Sequence, residues 1–502
     1  MKRITIKHIG LTAFVSLLSL LFIVSDGYAA DQDVFTVYTL EVEGEIFGYV
    51  CGDISGDKLS DVIVVYSPAD DPDTRYAGLY LQGQTSGFNL RPDYLTRLPH
   101  NASQMDIGDI DGDGIMEVLM IDADGVSALR YSQSTGFSKP VRLIRQKSIY
   151  NVPYFRGIIV EPFLIEINDR PGPEIIIPTS RGYVIYERGD ADRYEVLNEL
   201  SVDLVTQNGE KSLADFSRPG GVSFQVSLAK LYTGDCNLDG RLDLYFLWDR
   251  KVACFIQDNT GNFPQTPDLK MVLQSDRTGG FAQSWLADFN GDQRLDAVVS
   301  YTSGGITNTE TSVQFHLCNP DGLLEPKVSR ELRLSDSHCN LLVDDFNRDG
   351  RPELAIPAVE LGAIAATKML LMKEADLHLL IYPIIGGFPD DEPAKRKKLE
   401  FKFNFDDPHP TREIALSWAA DFNGDNLLDL AYSDGNGHIK FYWGHNSDYL
   451  SKKPDVEISL EHPSGVRPVT LNTGRLSDAI IEHNLAGKFD RLTVLKNRNN
   501  KL

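Results

Sequence analysis

The chain has 502 residues and sets 49 Lys and Arg against 72 Asp and Glu, a formal net charge of −23. An acid excess of that size provides no basic footprint and excludes nucleic acid as a natural partner. Five cysteines, an odd number with none in a CxxC spacing, read as small buried apolar residues with room for a single disulfide.

The N-terminus places Lys2, Arg3 and Lys7 ahead of an apolar stretch that ends in small residues at Ala29 and Ala30. This is the pattern of a bacterial signal peptide over residues 1–29, with residues 30–502 as one exported domain. Removing the leader leaves 46 − 71 = −25. No later apolar run reaches the length of a membrane span, so no transmembrane segment is expected after cleavage, and the protein is placed in the periplasm or outside the cell.

Seven related stretches follow in order: GDISGDKLSDVIVV, GDIDGDGIMEVLMI, IEINDRPGPEIIIP, GDCNLDGRLDLYFL, ADFNGDQRLDAVVS, DDFNRDGRPELAIP and ADFNGDNLLDLAYS. An eighth, TLNTGRLSDAIIEH, is eroded. Their first loop positions are Asp53, Asp109, Glu166, Asp235, Asp288, Asp345, Asp421 and Thr470, a spacing that marks a propeller or array of short strands. Each unit reads as strand, acidic loop, apolar strand, turn, strand, turn, strand. The runs VIVV, VLMI and AVVS lack alternation, as expected for a strand buried on both faces.

The last unit is one strand short, and DVFTVYTLEVEG precedes the first unit without a blade of its own. Pairing the two closes the ring and removes its exposed edges, which predicts an all-β, eight-bladed β-propeller; seven blades plus a cap is the alternative. Residues 359–373, rich in Ala, Leu and Met, read as a short helix inserted between the second and third strands of blade six. The polar stretch 190–221 reads as a long loop between blades three and four. The run Lys395, Arg396, Lys397, Lys398 reads as a solvated strand edge.

Six loops carry oxygen ligands at positions one, three, five and nine. They are Asp53, Ser55, Asp57 and Asp61; Asp109, Asp111, Asp113 and Glu117; Asp235, Asn237, Asp239 and Asp243; Asp288, Asn290, Asp292 and Asp296; Asp345, Asn347, Asp349 and Glu353; and Asp421, Asn423, Asp425 and Asp429. Hard oxygens in that number and flexible geometry suit Ca2+ better than Mg2+, so about six structural calcium ions are expected. Gly114, Gly240 and Gly350 at position six permit a left-handed turn, whereas Lys58 and Gln293 there predict weaker first and fifth sites. In the third loop Arg170 stands at position five and is expected to neutralise Glu166 and Glu174; the eighth keeps Asn472 and Asp478 beside Thr470 and Gly474. Neither is expected to hold metal.

The first unit, FGYVCGDISGDKLSDVIVVYSP, resembles the FG-GAP repeat of integrin α-subunit propellers, and the set resembles bacterial VCBS/FG-GAP repeat proteins. The resemblance implies a main-chain oxygen from position seven: Leu59, Ile115, Arg241, Arg294, Arg351 and Leu427. Trp285 and Trp418, each three places before a position-one Asp, share a packing register; Tyr442 and Trp443 are candidates for sugar stacking. No HExxH, GxSxG or Cys/His pair at catalytic spacing occurs, so no catalytic residues are assigned. The expected function is a non-enzymatic interaction module for an envelope or extracellular protein, with glycan binding or a polysaccharide lyase as the alternative.

Overall fold

The computed structural model describes residues 34–498 apart from 151–157, 169, 171, 190–192, 204, 209–223, 249, 275–280, 305–308, 320–321, 336, 340, 361–362, 373, 403–415, 473 and 485–488. The expected signal peptide lies outside the described residues. Eight antiparallel sheets follow one another along the chain and form an eight-bladed propeller. Blade one is typical: Gly44–Gly52, Asp61–Pro68, Tyr76–Tyr80 and Tyr94–Arg97 pair in that order.

The second strand of each blade begins at the ninth loop position and is buried almost throughout, for example Asp61–Pro68, Glu117–Asp122 and Asp243–Trp248. Consecutive apolar side chains fill both faces because each sheet is sandwiched between two neighbours. The core is therefore a ring of layers between blades. Ile54, Ile63 and Leu79 of blade one pack with Met105 and Val118 of blade two, and Leu430 of blade seven packs with Leu377 and Leu379 of blade six.

Ring closure falls where the strand count places it. Phe35–Glu41 pairs antiparallel with Arg491–Asn497, from Phe35 opposite Asn497 to Glu41 opposite Arg491, and becomes the outer strand of blade eight. Its two buried residues point to opposite sides. Phe35 joins the blade seven–eight layer, and Leu40 joins the layer between blades eight and one.

Three departures from the sequence reading concern the segments between repeats. The polar stretch after Gly189 is not one long loop: Tyr194–Ser201 is the outer strand of blade three, and Val205–Asn208 pairs with Phe224–Ser227 in a separate hairpin. The basic run is the start of blade six's outer strand, Lys395–Lys402, but Lys397 is buried rather than solvated. Its Nζ donates to the Ser451 carbonyl at 2.6 Å and lies 3.8 Å from the centroid of the Tyr442 ring. Third, Ile159–Val160 adds a short parallel strand to blade two beside Gln104–Gly108, which no periodicity announces. The inserted helix, Ala363–Met372, sits between Glu353–Glu360 and Glu374–Ile385 as expected. Among the described residues no helix is long and apolar enough to cross a membrane.

Candidate functional site: the acidic loops

Each acidic loop links the first and second strands of its blade. The position-one carboxylate orders the turn by accepting backbone N–H groups from the following residues. Asp53 takes those of Gly56 at 2.6 Å, Asp57 at 3.1 Å and Lys58 at 2.8 Å. Asp109 repeats this with Gly112, Asp113 and Gly114, and Asp288 with Gly291, Asp292 and Gln293. Position five accepts from the N–H of position seven, as in Asp57 from Leu59 and Asp425 from Leu427, each at 2.9 Å. Where Asn stands at position three, its amide bridges to position five: Asn423 Nδ2 donates to Asp425 at 3.0 Å.

To close so tightly the backbone turns left-handed twice. Position six does so at Lys58, Gly114, Gly240, Gln293, Gly350 and Asn426, and position four at Gly56, Gly112, Leu238, Gly291, Arg348 and Gly424. The sequence reading found only the first of these, although glycine at position four of four loops was the signal. Every loop keeps glycine in at least one of the two places. Leu238, at φ 58°, bears a strain of about 1–2 kcal/mol that glycine would not. Leu238→Gly is accordingly expected to stabilise the protein by about 1 kcal/mol in denaturant titrations, less the added freedom of the unfolded chain; a destabilised variant would contradict this.

Position nine proves to be more than a ligand. In all eight blades its carboxylate accepts the N–H of position two, from Asp61 with Ile54 at 3.1 Å to Asp478 with Leu471 at 3.0 Å. Where it is Asp, its other oxygen accepts a second N–H at or just beyond the end of the third strand: Gln82, Gln257, Cys318, Gly444 or Asn497. The clip buries position two as an apolar plug: Ile54, Ile110, Ile167, Cys236, Phe289, Phe346, Phe422 and Leu471 are all at most 3% exposed. This explains why position nine stays acidic, at Glu174 and Asp478, in the two loops whose ligand set is incomplete.

Burial pushes these carboxyls up, against the opposing pull of their N–H donors. Asp296, Asp429 and Glu353 are raised to about 7, and Asp61 and Asp478 to about 6. Neighbouring carboxylates add to the rise at Asp296, Asp429 and Glu353. In loop two the ligand oxygens of Asp109, Asp111 and Glu117 come within 4.8 Å of one another, the convergence that a cation requires. Among the described residues no other three carboxyl, His or Cys ligands converge so closely. In loops four to seven Asn supplies the position-three oxygen instead.

The loops are joined around the rim. In blades one, two, seven and eight position eight donates its N–H to the preceding loop: Ser60 to Leu471 O at 3.1 Å, Met116 to Asp53 O at 2.8 Å, Leu428 to Phe346 O at 3.3 Å and Ser477 to Asp421 O at 2.8 Å; Pro173 and Pro352, at position eight of loops three and six, have no N–H to give. Side chains beyond the third strand add a clasp. Gln82, Gln257 and Asn497 donate to the position-two carbonyls of the preceding loops, at Leu471, Ile167 and Phe422. The two loops without a full ligand set, three and eight, are both held in this way by a buried glutamine.

Other assigned residues fall outside this system. Arg170 pairs with Glu187 on the third strand, not with Glu166 or Glu174; Glu174 is satisfied by Ile167 N–H and Asn168 instead. Tyr442 is buried beneath Lys397, and Trp443 packs partly buried against the blade seven–eight layer, so they do not form an open sugar platform. Trp285 packs against the layer between blades five and six, the packing role expected of it; the Trp418 side chain lies outside the described residues. Cys51, Cys236, Cys254 and Cys318 are free thiols, three of them buried.

Residues 235–299, spanning loops four and five, match the FG-GAP-like repeat family. No curated protein matches the chain. Among solved structures, a lectin from Agrocybe aegerita specific for non-reducing terminal N-acetylglucosamine is 12% identical, covering 73% of this chain and 89% of its own, with a TM-score of 0.41. The V. cholerae biofilm matrix protein Bap1 is 11% identical over 91% of this chain and 88% of its own, at a TM-score of 0.42. The WD40 domain of Toxoplasma gondii coronin is 9% identical over 93% and 89%, at 0.34.

Proposed function

We propose that this FG-GAP-repeat propeller is an exported, calcium-stabilised interaction module that presents its rim to another envelope or extracellular protein. The observation that carries the reading is the chained rim itself. Acidic loops with pre-ordered carboxylates are tied in series from loop six through seven, eight and one to two, so a cation in one of these loops braces the next as well. The residues fit calcium by their chemistry: Asp and Asn oxygens at positions one, three and five on a solvent-facing turn, above a buried position-nine carboxyl whose ionised form a cation favours. Calcium would supply charge neutralisation there, and the carboxylates would orient the turn. Two buried histidines are engaged structurally, His483 with Glu461 O and Thr493 Oγ1, and His316 with Glu325 O.

A groove of about 340 Å³ between blades one and two favours a second reading, glycan binding. Ser86, Asn89, Asp93, Tyr131 and Gln133 line it, a mixture of hydroxyl, amide, carboxylate and aromatic surface suited to a sugar. The test is capture from the native envelope on immobilised protein in calcium, with chelator elution and assay for protein and polysaccharide. A specific protein supports the leading reading. Polysaccharide alone moves the assignment to the groove, and shortened polysaccharide to a lyase.

A further inference from the structure

Loop two has the fullest acid set in the chain, with carboxylates at all four ligand positions and glycine at positions four and six. Yet a guanidinium from the end of the third strand also rests on it, across two ligand positions; in loop four the Arg241 guanidinium reaches position five alone, at Asp239. Arg130 Nη2 lies 2.7 Å from Asp111 Oδ2, and its Nε lies 3.1 Å from Glu117 Oε1, so one guanidinium bridges positions three and nine. Arg188, from blade three, donates to the Asp111 carbonyl at 2.6 Å.

The strand register shows what is unusual about Arg130. In every blade the residue after position nine pairs with a third-strand residue: Val62 with Tyr80, Val118 with Leu129, Ile175 with Tyr186, Leu244 with Phe255, Ala297 with His316, Leu354 with Tyr382, Leu430 with Tyr442 and Ala479 with Leu495. The next residue along is therefore equivalent in all eight: Leu81, Arg130, Glu187, Ile256, Leu317, Pro383, Trp443 and Lys496. It is apolar in blades one, four, five, six and seven. It is charged only in blades two, three and eight. In blade three Glu187 pairs with Arg170, which replaces the position-five acid; in blade eight Lys496 faces Asp478. Both of those loops lack a full ligand set and balance charge from within the protein. By this register, loop two belongs with them.

We propose that Arg130 is the resident cation of loop two, so that the native propeller binds five calcium ions and not six. This rests on the calcium reading above. A guanidinium satisfies two carboxylates with directed hydrogen bonds, and a calcium ion there must first displace it. The second loop is thus ordered without metal, beside a first loop whose Asp53 carbonyl takes the Met116 N–H.

The experiment counts ions per chain by metal analysis after equilibrium dialysis against micromolar calcium, with calorimetric titration in parallel, for wild type, Arg130→Leu, Asp109→Asn and Asp288→Asn. Leucine reproduces the residue at the equivalent place in blade one. The expected counts are five for wild type, six for Arg130→Leu, five for Asp109→Asn and four for Asp288→Asn. Six ions in wild type, or no gain in Arg130→Leu with its fold verified by circular dichroism, would overturn the role of Arg130. Should Arg130→Leu fail to fold, a loss of one ion in Asp109→Asn would overturn it independently. No ion in any of the four proteins would overturn the calcium reading itself, a distinguishable result.

Discussion

Stripping calcium from the purified protein is expected to lower its melting temperature by on the order of 10 °C, and restoring calcium to recover it. One site with free ion at a hundredfold its dissociation constant stabilises the native state by about 2.7 kcal/mol. Several such sites on one cooperative ring add, because position-eight N–H groups and the glutamine and asparagine clasps tie loop one to eight, two to one, four to three, seven to six and eight to seven. A loop that loses its ion leaves two carboxylates crowded above a buried position-nine carboxyl. Differential scanning calorimetry with and without chelator checks this, and an unchanged transition would refute the structural role of calcium.

The sign of the pH dependence separates the two states of the rim. In the calcium-free protein Asp296 and Asp429 sit near 7 against an ordinary 3.8, Glu353 near 7 against 4.5, and Asp61 near 6. Their folded values lie above the unfolded ones, so the stability they contribute is fully present below about pH 4 and is lost as pH rises through 6 to 7. A carboxyl moved from 3.8 to about 7 accounts for at most about 4 kcal/mol. The metal-free protein should therefore become more stable on acidification from pH 8 to pH 5. With calcium the order reverses over the same range, since protons then compete with the ion for the same oxygens. Urea titrations across that window, with and without calcium, should give slopes of opposite sign; parallel slopes would contradict the assignment.

What the sequence made legible was what lies within one repeat. The phasing of Asp and Asn before apolar runs gave the blades, and the strand missing after Asp478 gave the closure by Phe35–Glu41. What it concealed depends on residues brought together by the ring. Gln82 clasps Leu471 across 389 positions of sequence, and Gln257 reaches back 90 residues to Ile167, pairs that no local pattern announces. Arg170 was assigned to its sequence neighbours because the hairpin register that sets Glu187 beside it is a property of the folded blade. Blade three's outer strand, YEVLNELS, reads as a loop because polar side chains dominate a strand that buries only one residue.

Deleting residues 34–41 is expected to abolish the cooperative unfolding transition and drive self-association. The closing strand contributes the seven-residue ladder to Arg491–Asn497 and two buried anchors. Phe35 packs against Phe422, the plug of loop seven, with ring centroids 6.0 Å apart, and against Phe441 at 5.0 Å. Its loss uncovers the edge at Asn497, whose N–H is clipped to Asp478 and whose amide clasps Phe422 O at 2.6 Å, so loops seven and eight loosen together. An open edge of this kind recruits another strand, which makes dimers or larger species the expected outcome. The milder Phe35→Ala should cost about 3–5 kcal/mol without opening the ring. A synthetic peptide FTVYTLE added to the truncated chain should restore a monomer by pairing in the vacated register. Size-exclusion chromatography and denaturant titration decide the matter: a truncated protein that stays monomeric, with an unshifted midpoint, would show that the ring is held without its closing strand.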